Sequence, residues 1–199
     1  MQRMSDNVLR GLPDRAIELI LRASNTSGQG EAPLLELSKG LHALPELENS
    51  GYSEFRYHGY EIFTGLTLGL KGEVPALEFL RTFELTCAPE YLTRFDVGDG
   101  WSVLVVRYRA CTVGRLTPVE DVRGPFSNAA KVRFLDDLQA LSERGLYHAY
   151  AHRAYEAWRV ASDSGMIVLN GWGQGLQRCS PAEAADSRKQ IERLLERKS

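Results

Sequence analysis

The chain has 199 residues, enough for one domain with its own core or for two small lobes. Its 43% hydrophobic and 25% charged residues are typical of a globular protein, and its formal net charge of −2 gives no positive field to attract nucleic acid or an anionic membrane. No apolar run approaches the length of a membrane span, and no basic-then-apolar segment opens the chain, so we expect a cytoplasmic protein. The three cysteines are far apart and odd in number, which indicates free thiols.

Residues 1–49 predict a helical extension. Leu12–Arg22 has a proline suited to a first turn and apolar residues at helical spacing. A second helix is predicted from Pro33 to Leu41. Between the two helices, residues 24–30 are rich in Ser, Asn and Gly and predict a linker.

Residues 52–70 are rich in aromatic and β-branched residues and are interrupted by glycines. This pattern predicts strands. Val74–Ala88 predicts a helix that ends at Pro89. Asp96–Gly100 predicts a hairpin turn that leads into a buried strand beginning at Trp101.

The rest of the chain predicts two long helices. Asn128–Arg144 has an apolar stripe along one face. A last helix is predicted from Pro181 to about Glu196, because Ser180 and Glu183 have the spacing of a capping box. This helix is expected to bury Ile191, Leu194 and Leu195.

This order of elements resembles that of a small protein-kinase-like domain, which has a sheet with one helix, a strand into a hinge, and a mainly helical second lobe. The resemblance covers roughly residues 50–175 and implies an α+β bilobal fold. Residues 50–110 would form a strand-rich N-lobe, 111–199 a helical C-lobe and Arg107–Gly114 the hinge, with 1–49 as an N-terminal helical extension.

The catalytic loop of the kinase family is only partly matched. That loop carries His-Arg-Asp, in which the Asp accepts the substrate proton, and an Asn five residues later that holds a metal ion. His148 matches the His, but Ala149 replaces the Arg, Tyr150 replaces the Asp and Tyr155 falls at the Asn. A phenol, with a pKa of about 10, is a poor base at neutral pH and a poor magnesium ligand.

The metal-binding Asp-Phe-Gly turn of the family becomes Gly171-Trp172-Gly173, or with a slip of one residue Asn170 takes the place of the Asp. Gly171–Gly173 is also consistent with a plain tight turn anchored by an aromatic residue. With these replacements the resemblance implies no catalytic residues and no metal ligands. It also implies no cofactor, although ATP binding stays an open alternative.

In the N-lobe, Lys71 matches the phosphate-contacting lysine of the family, and Glu84 or Glu78 matches its partner on the helix. The Gly-rich loop is represented only by the fragment Ser50–Ser53. In the alternative interpretation, Lys71 is an exposed residue of a turn, and Glu78 and Glu84 lie on the solvent-exposed face of a helix.

Residues 146–160 have two interpretations. The near-helical spacing of Tyr147, Ala151, Tyr155 and Trp158 favours one plain helix with core aromatics. The kinase alignment requires a loop that is not helical.

His148 and His152 stand four residues apart, a spacing that lets one helix face bind a metal ion. The glutamate that follows the first histidine in metalloproteases is missing, so we predict no metal site.

These observations predict a catalytically inactive kinase-like protein, a pseudokinase that recognises another protein as a bacterial effector or as an accessory or regulatory protein. One alternative is an active, divergent phosphotransferase that uses other acids, such as Asp163 or Glu156. Another is a non-kinase α+β binding or immunity-type protein.

Protein interfaces concentrate their binding energy in aromatic and arginine residues. The predicted partner-binding residues are therefore Arg107, Arg109 and Tyr150, which the alignment places on the hinge and loop. The opposing interpretation places the partner on the first helix, with Ile17, Ile20 and Leu21 as anchors.

Overall fold

The fold begins with two helices that pack against a sheet. The computed structural model describes residues 6–26, 32–49, 54–66, 72–98 and 100–197. After a 3-10 turn at Asp6–Leu9 come the helices Asp14–Asn25 (α1) and Ala32–His42 (α2). Both predicted helices are confirmed. Most of the predicted linker lies outside the described residues.

A five-stranded antiparallel sheet follows, with the strand order β1-β2-β3-β5-β4. Its strands are Glu48–Asn49 (β1), Glu54–Tyr57 (β2), Tyr60–Leu66 (β3), Glu90–Gly98 (β4) and Trp101–Arg107 (β5). Strands are confirmed over 54–57 and 60–66, and the predicted hairpin joins β4 to β5. Residues 52–53, 67–70 and 99 of these predictions lie outside the described residues. The β2–β3 turn is two residues long, and its first residue, His58, adopts a left-handed backbone with φ of 51°.

One helix, Glu73–Leu80 (α3), lies between β3 and β4 and is shorter than the predicted Val74–Ala88. The backbone is left-handed at Glu84, with φ of 51°, which a right-handed helix does not allow. At Thr86 and Cys87, the backbone N–H groups bond to a side-chain oxygen of Asp137. In a longer helix they would bond to backbone carbonyls of the preceding turn.

Asp137 joins this segment to the second half of the chain. Its Oδ2 accepts the backbone N–H of Thr86 and that of Cys87, each at 2.7 Å. Arg133 Nε lies 3.2 Å from Oδ1. Burial raises the pKa of the Asp137 carboxyl, against the opposing effects of these N–H groups and of Arg133. The buried carboxylate therefore stabilises the α3–β4 connection in place of helical hydrogen bonds.

The second half contains two long helices and several short strands. Its elements are Leu116–Pro118 (β6), Asn128–Ser142 (α4), Leu146–His148 (β7), Ala154–Ala157 (α5), Trp158–Ala161 (β8), Ile167–Leu169 (β9), Trp172–Gly175 (α6), Leu176–Arg178 (β10) and Pro181–Arg197 (α7). They form a three-stranded sheet, β6-β8-β9, and a pair, β10-β7. The predicted α+β class is confirmed, although this half holds more strand than a mainly helical lobe implies.

The caps of both long helices follow from the sequence. Ser127 accepts the N–H of Ala130 at 3.1 Å at the start of α4. Ser180 and Glu183 form the predicted capping box, in which the Glu183 carboxylate accepts the Ser180 N–H at 2.8 Å. In α7, Ile191 and Leu195 are buried as predicted, and Leu194 is half-buried against the same core.

Residues 146–160 do not form one helix, so the plain-helix interpretation is wrong. The segment contains β7, a turn, the single helical turn α5 and the start of β8. The fully buried Trp158 lies in the strand, and its indole N–H donates to the Ala151 carbonyl at 2.7 Å. The aromatic residues at helical spacing therefore belong here to two strands, β7 and β8, and to the single turn α5.

Strand β5 is buried on both faces. Val103 and Val105 belong to a core with α1 and α2, whereas Leu104 and Val106 belong to a core with α3 and the second half. Ile20 is fully buried in the first of these cores. The interpretation of Ile20 as a docking anchor is therefore wrong, because the apolar face of the sheet already covers it.

Ile17 and Leu21, the other proposed anchors, are half-buried. No helix within the described ranges has both the length and the apolarity needed to cross a membrane.

Replacing Ile20 with alanine should lower the free energy of unfolding by about 2–5 kcal/mol, because it opens a cavity between α1 and the sheet. The half-buried Leu21→Ala is the matched control and should cost less than half as much. Chemical denaturation of both variants measures this. Equal costs would mean that α1 does not pack on the sheet as described.

Candidate functional site

A cleft of about 280 Å³ lies between the five-stranded sheet and the second half of the chain. The sheet and α3 contribute Glu54, Arg56, Glu61, Phe63, Glu73, Leu77, Leu104 and Val106. The remaining lining comes from Pro89, Tyr108, Arg159, Asn170 and Gly171. The cleft therefore combines an apolar floor with several charged groups.

Arg56 and Glu61 form a cross-strand ion pair on β2 and β3. They are direct partners in the strand register, and Arg56 Nε lies 3.0 Å from Glu61 Oε1. Glu54, on the same strand as Arg56, also bonds to the guanidinium. Burial raises the pKa of Glu61 to about 7, and the nearby Arg56 only partly opposes this. The two-residue turn sets the register that brings this pair together.

Tyr108 connects the end of β5 with the opposite wall of the cleft. Its hydroxyl donates to Asn170 Oδ1 at 3.2 Å, and burial raises the pKa of the phenol well above its usual value. Its backbone N–H donates to the Gly59 carbonyl at 2.8 Å. A Cβ at Gly59 would lie 2.0 Å from the Cys111 carbonyl oxygen, so only glycine allows the β2–β3 turn to pack on the hinge.

Glu73, in the first turn of α3, reaches the Gly-rich segment of the second half. Its Oε2 accepts the Gly173 N–H at 2.6 Å. A Cβ at Gly173 would lie 2.4 Å from the Glu73 backbone nitrogen, so this close approach requires glycine. Burial raises the pKa of Glu73, although the N–H groups of Gly173 and Trp172 oppose the rise.

The acidic residue of α3 that lines the cleft is therefore Glu73, whereas neither of the predicted helix partners, Glu84 and Glu78, lines it. Glu84 lies beyond the end of α3, and its carbonyl accepts a hydrogen bond from Arg133 at 3.2 Å. Glu78 is on α3 but is exposed. The sequence signal that could have identified Glu73 is an acidic residue in the first turn of a helix, together with the segment Gly171-Trp172-Gly173 farther along the chain.

His148 is buried next to residues 170–173. Its Nε2 lies 3.0 Å from the Asn170 carbonyl, which can only accept, so Nε2 carries the proton. The imidazole packs edge-on against the fully buried Trp172, with ring centres 4.6 Å apart. Burial lowers the pKa of His148 to about 4. The neutral ring supports the turn beside the cleft.

Tyr150 is not among the residues that line the cleft. Tyr150 is half-buried in the turn after β7, with the Arg153 guanidinium 5.4 Å from its ring centre. Tyr155 lies in α5. Lys71 and the fragment Ser50–Ser53 lie outside the described residues.

The two histidines of the metal hypothesis do not share a helix face. His148 is the last residue of β7 and is buried, whereas His152 is exposed in the following turn. Across the described part of the chain, no group of three or more His, Cys, Asp or Glu residues is arranged to hold a metal ion.

The alternative catalytic acids Asp163 and Glu156 do not line the cleft. Asp163 Oδ2 accepts the N–H of Thr112 at 2.7 Å and that of Val113 at 3.0 Å. Burial alone would raise the pKa of Asp163, but these hydrogen bonds hold it well below its usual value. Asp163 therefore fastens the hinge to the β8–β9 turn, and Glu156 pairs on the surface with Arg153 at 3.2 Å.

The predicted hinge arginines are both paired with Glu90. Arg107 Nη2 lies 2.5 Å from one carboxylate oxygen of Glu90, and Arg109 Nη2 lies 3.3 Å from the other. Their side chains are 41% and 44% exposed, so each keeps part of its surface accessible.

No protein-family model matches the chain, and no curated protein sequence matches it. Among solved structures, a high-resolution crystal structure of WbdD has 17% identity and a TM-score of 0.48, covering 74% of this chain and 37% of that one. The crystal structure of monomeric WbdD has 14% identity and a TM-score of 0.42, covering 71% and 36%. The structure of vaccinia related kinase 3 has 17% identity and a TM-score of 0.41, covering 70% and 49%.

The chain therefore spans less than half the length of each of these proteins. Because all three TM-scores are below 0.5, the kinase-like resemblance is weak, and it rests on the order of elements and the contacts described above.

Replacing Glu61 with glutamine should remove a pH dependence of stability. The folded chain holds the Glu61 pKa at about 7, above the ordinary 4.5, so the folded state keeps a proton that the unfolded state releases. The free energy of unfolding should therefore fall as the pH rises through this window, by at most about 3 kcal/mol at about 1.4 kcal/mol per pKa unit.

Urea denaturation of both proteins between about pH 5 and pH 8 measures this slope. Because the lowered pKa of His148 gives an opposing slope below about pH 6.5, the informative quantity is the difference between two proteins. The stability of the wild type relative to Glu61→Gln should fall as the pH rises, and that of the control Glu54→Gln relative to Glu61→Gln should fall in the same way. The same slope in the wild type and in Glu61→Gln would contradict the assignment.

Proposed function

We propose that this chain is a kinase-like protein without phosphoryl-transfer activity, which acts as an accessory or regulatory protein by binding another protein. The kinase-like part of the proposal is supported by the strand order of the sheet, the helix α3 beside it, and the contact of His148 with residues 170–173.

The distribution of charge in the cleft carries the proposal. Phosphoryl transfer requires acidic and amide groups on the side of the catalytic loop and metal-binding turn, where they hold magnesium against the phosphates. Here that side contributes Arg159, Asn170 and Gly171. The carboxylates of the cleft come instead from the sheet and from α3. The acidic groups therefore lie on the side of the cleft opposite to the one that phosphoryl transfer requires.

The residue at the position of the catalytic-loop aspartate, which would orient the substrate hydroxyl, supports the same proposal. Tyr150 replaces the aspartate of the catalytic loop, and its phenol packs beside the Arg153 guanidinium outside the cleft. The acids of the alternative phosphotransferase are already engaged, because Asp163 binds the hinge backbone and Glu156 pairs with Arg153.

Phosphotransferase activity is tested by incubating the purified chain with radiolabelled ATP and either Mg²⁺ or Mn²⁺, with an active kinase as positive control. We expect no labelling of the chain or of a generic protein substrate, and no rise in melting temperature with ATP and Mg²⁺. Labelling that Lys71→Ala abolishes would overturn the proposal in favour of the divergent phosphotransferase.

Protein recognition is tested at the hinge. Arg109 keeps 44% of its side chain exposed, and exposed arginines contribute strongly to interfaces. For a partner purified in complex with the chain, Arg109→Glu and Tyr150→Ala should each weaken binding by about 1–3 kcal/mol, measured by calorimetry. The matched control Arg123→Glu changes an exposed arginine outside the cleft. An equal loss in the control, or none in the two variants, would place the interface elsewhere.

A further inference from the structure

Two charged groups in the cleft lack a counter-charge among the described residues. Arg159, on β8, donates from Nη1 to the Trp158 carbonyl at 3.0 Å, and its buried Nε has no hydrogen-bond partner. Glu73, on α3, accepts backbone N–H groups but forms no ion pair within the described ranges. Charges withdrawn from water without a partner are costly, and a ligand of opposite charge relieves that cost.

The other charged groups of the cleft are paired among themselves. Arg56 is held between Glu54 and Glu61 and is therefore not free to take a ligand anion. The unmatched groups are thus one cation and one anion, and they come from different elements on the two sides of the cleft. A complementary ligand carries one negative group for Arg159 and one positive group for Glu73.

Asn170 adds a hydrogen-bond donor beside Arg159. Its Oδ1 accepts the Tyr108 hydroxyl at 3.2 Å, and its Nδ2 has no partner in the described structure. A guanidinium and a neighbouring amide N–H are suited to a carboxylate, because the planar fork of arginine matches the two carboxylate oxygens.

The floor between the charged groups is apolar. It is formed by Phe63, Leu77, Pro89, Leu104 and Val106. The volume of about 280 Å³ lies near the lower end of small-molecule sites. Such a space suits a compact apolar body rather than a polyphosphate, whose charge the three glutamates of the sheet and α3 would repel.

We propose that the cleft binds a small zwitterion with an apolar body, of the chemical class of the apolar α-amino acids. The carboxylate lies against Arg159 and Asn170, the ammonium lies against Glu73, and the side chain lies on the apolar floor. This inference extends the proposed function by giving the non-catalytic cleft a ligand.

The test titrates the full chain with L-leucine and L-phenylalanine by calorimetry and by heteronuclear NMR. We expect saturable binding of at least one of them. N-acetyl-L-phenylalanine lacks the ammonium and L-phenylalanine amide lacks the carboxylate, so each should bind at least about tenfold more weakly than a binding parent amino acid.

Variants then assign the two ends of the ligand. Arg159→Gln should abolish the preference for L-phenylalanine over its amide, and Glu73→Gln should abolish the preference over the N-acetyl compound. Glutamine at position 73 keeps an oxygen that accepts the Gly173 N–H. The matched controls are the exposed Arg153→Gln and Glu78→Gln, which should leave both preferences unchanged. If Arg159→Gln does not fold, Arg159→Lys keeps the charge, loses the planar fork and should still bind more weakly.

No saturable binding of either amino acid would overturn the inference, as would preferences that the two cleft variants leave unchanged. Phosphoryl transfer from ATP would overturn the proposed function instead, so the two proposals fail in different experiments.

Discussion

The burial of β5 on both faces is the constraint on which the rest of the structure depends. A run of five buried residues, Ser102–Val106, alternates between two separate cores, so apolar layers are required on both sides of the sheet. The helices α1 and α2 provide one layer, and α3 with the second half provides the other. Residues 6–42 are therefore part of the folded unit and not an appendage to it.

The cleft is a consequence of the way these layers meet. Where α3 approaches the Gly-rich segment, Gly173 allows backbone contact and Glu73 bonds across it. Where the β2–β3 turn approaches the hinge, Gly59 has the same role. Small residues at these two contacts bring charged side chains close together over an apolar floor, and the charge pattern that results is unlike that of a phosphate-binding site.

Local signals predicted the parts of the fold that local chemistry determines. The capping box at Ser180 and the hairpin before Trp101 could both be predicted from sequence. The path of the chain between α3 and β4 could not, because Thr86 and Cys87 bond there to Asp137, which lies about fifty residues away. The strand identity of Trp158 was also hidden, since its neighbours have helical spacing. A two-residue hairpin turn at residues 58–59 is enough to predict that Arg56 lies opposite Glu61. The burial of that pair could not be predicted from this segment.

The fastening of the hinge by Asp163 bears on how the two halves move. Its carboxylate holds the backbone of Thr112 and Val113, while Tyr108 bonds to Asn170 across the same region. A hinge must change its backbone angles for two lobes to rotate, and these bonds oppose such changes. These bonds therefore restrain the hinge against the backbone changes that a rotation of the two halves would need. A molecule entering the cleft meets a preformed cavity and loses little affinity to the ordering of the protein.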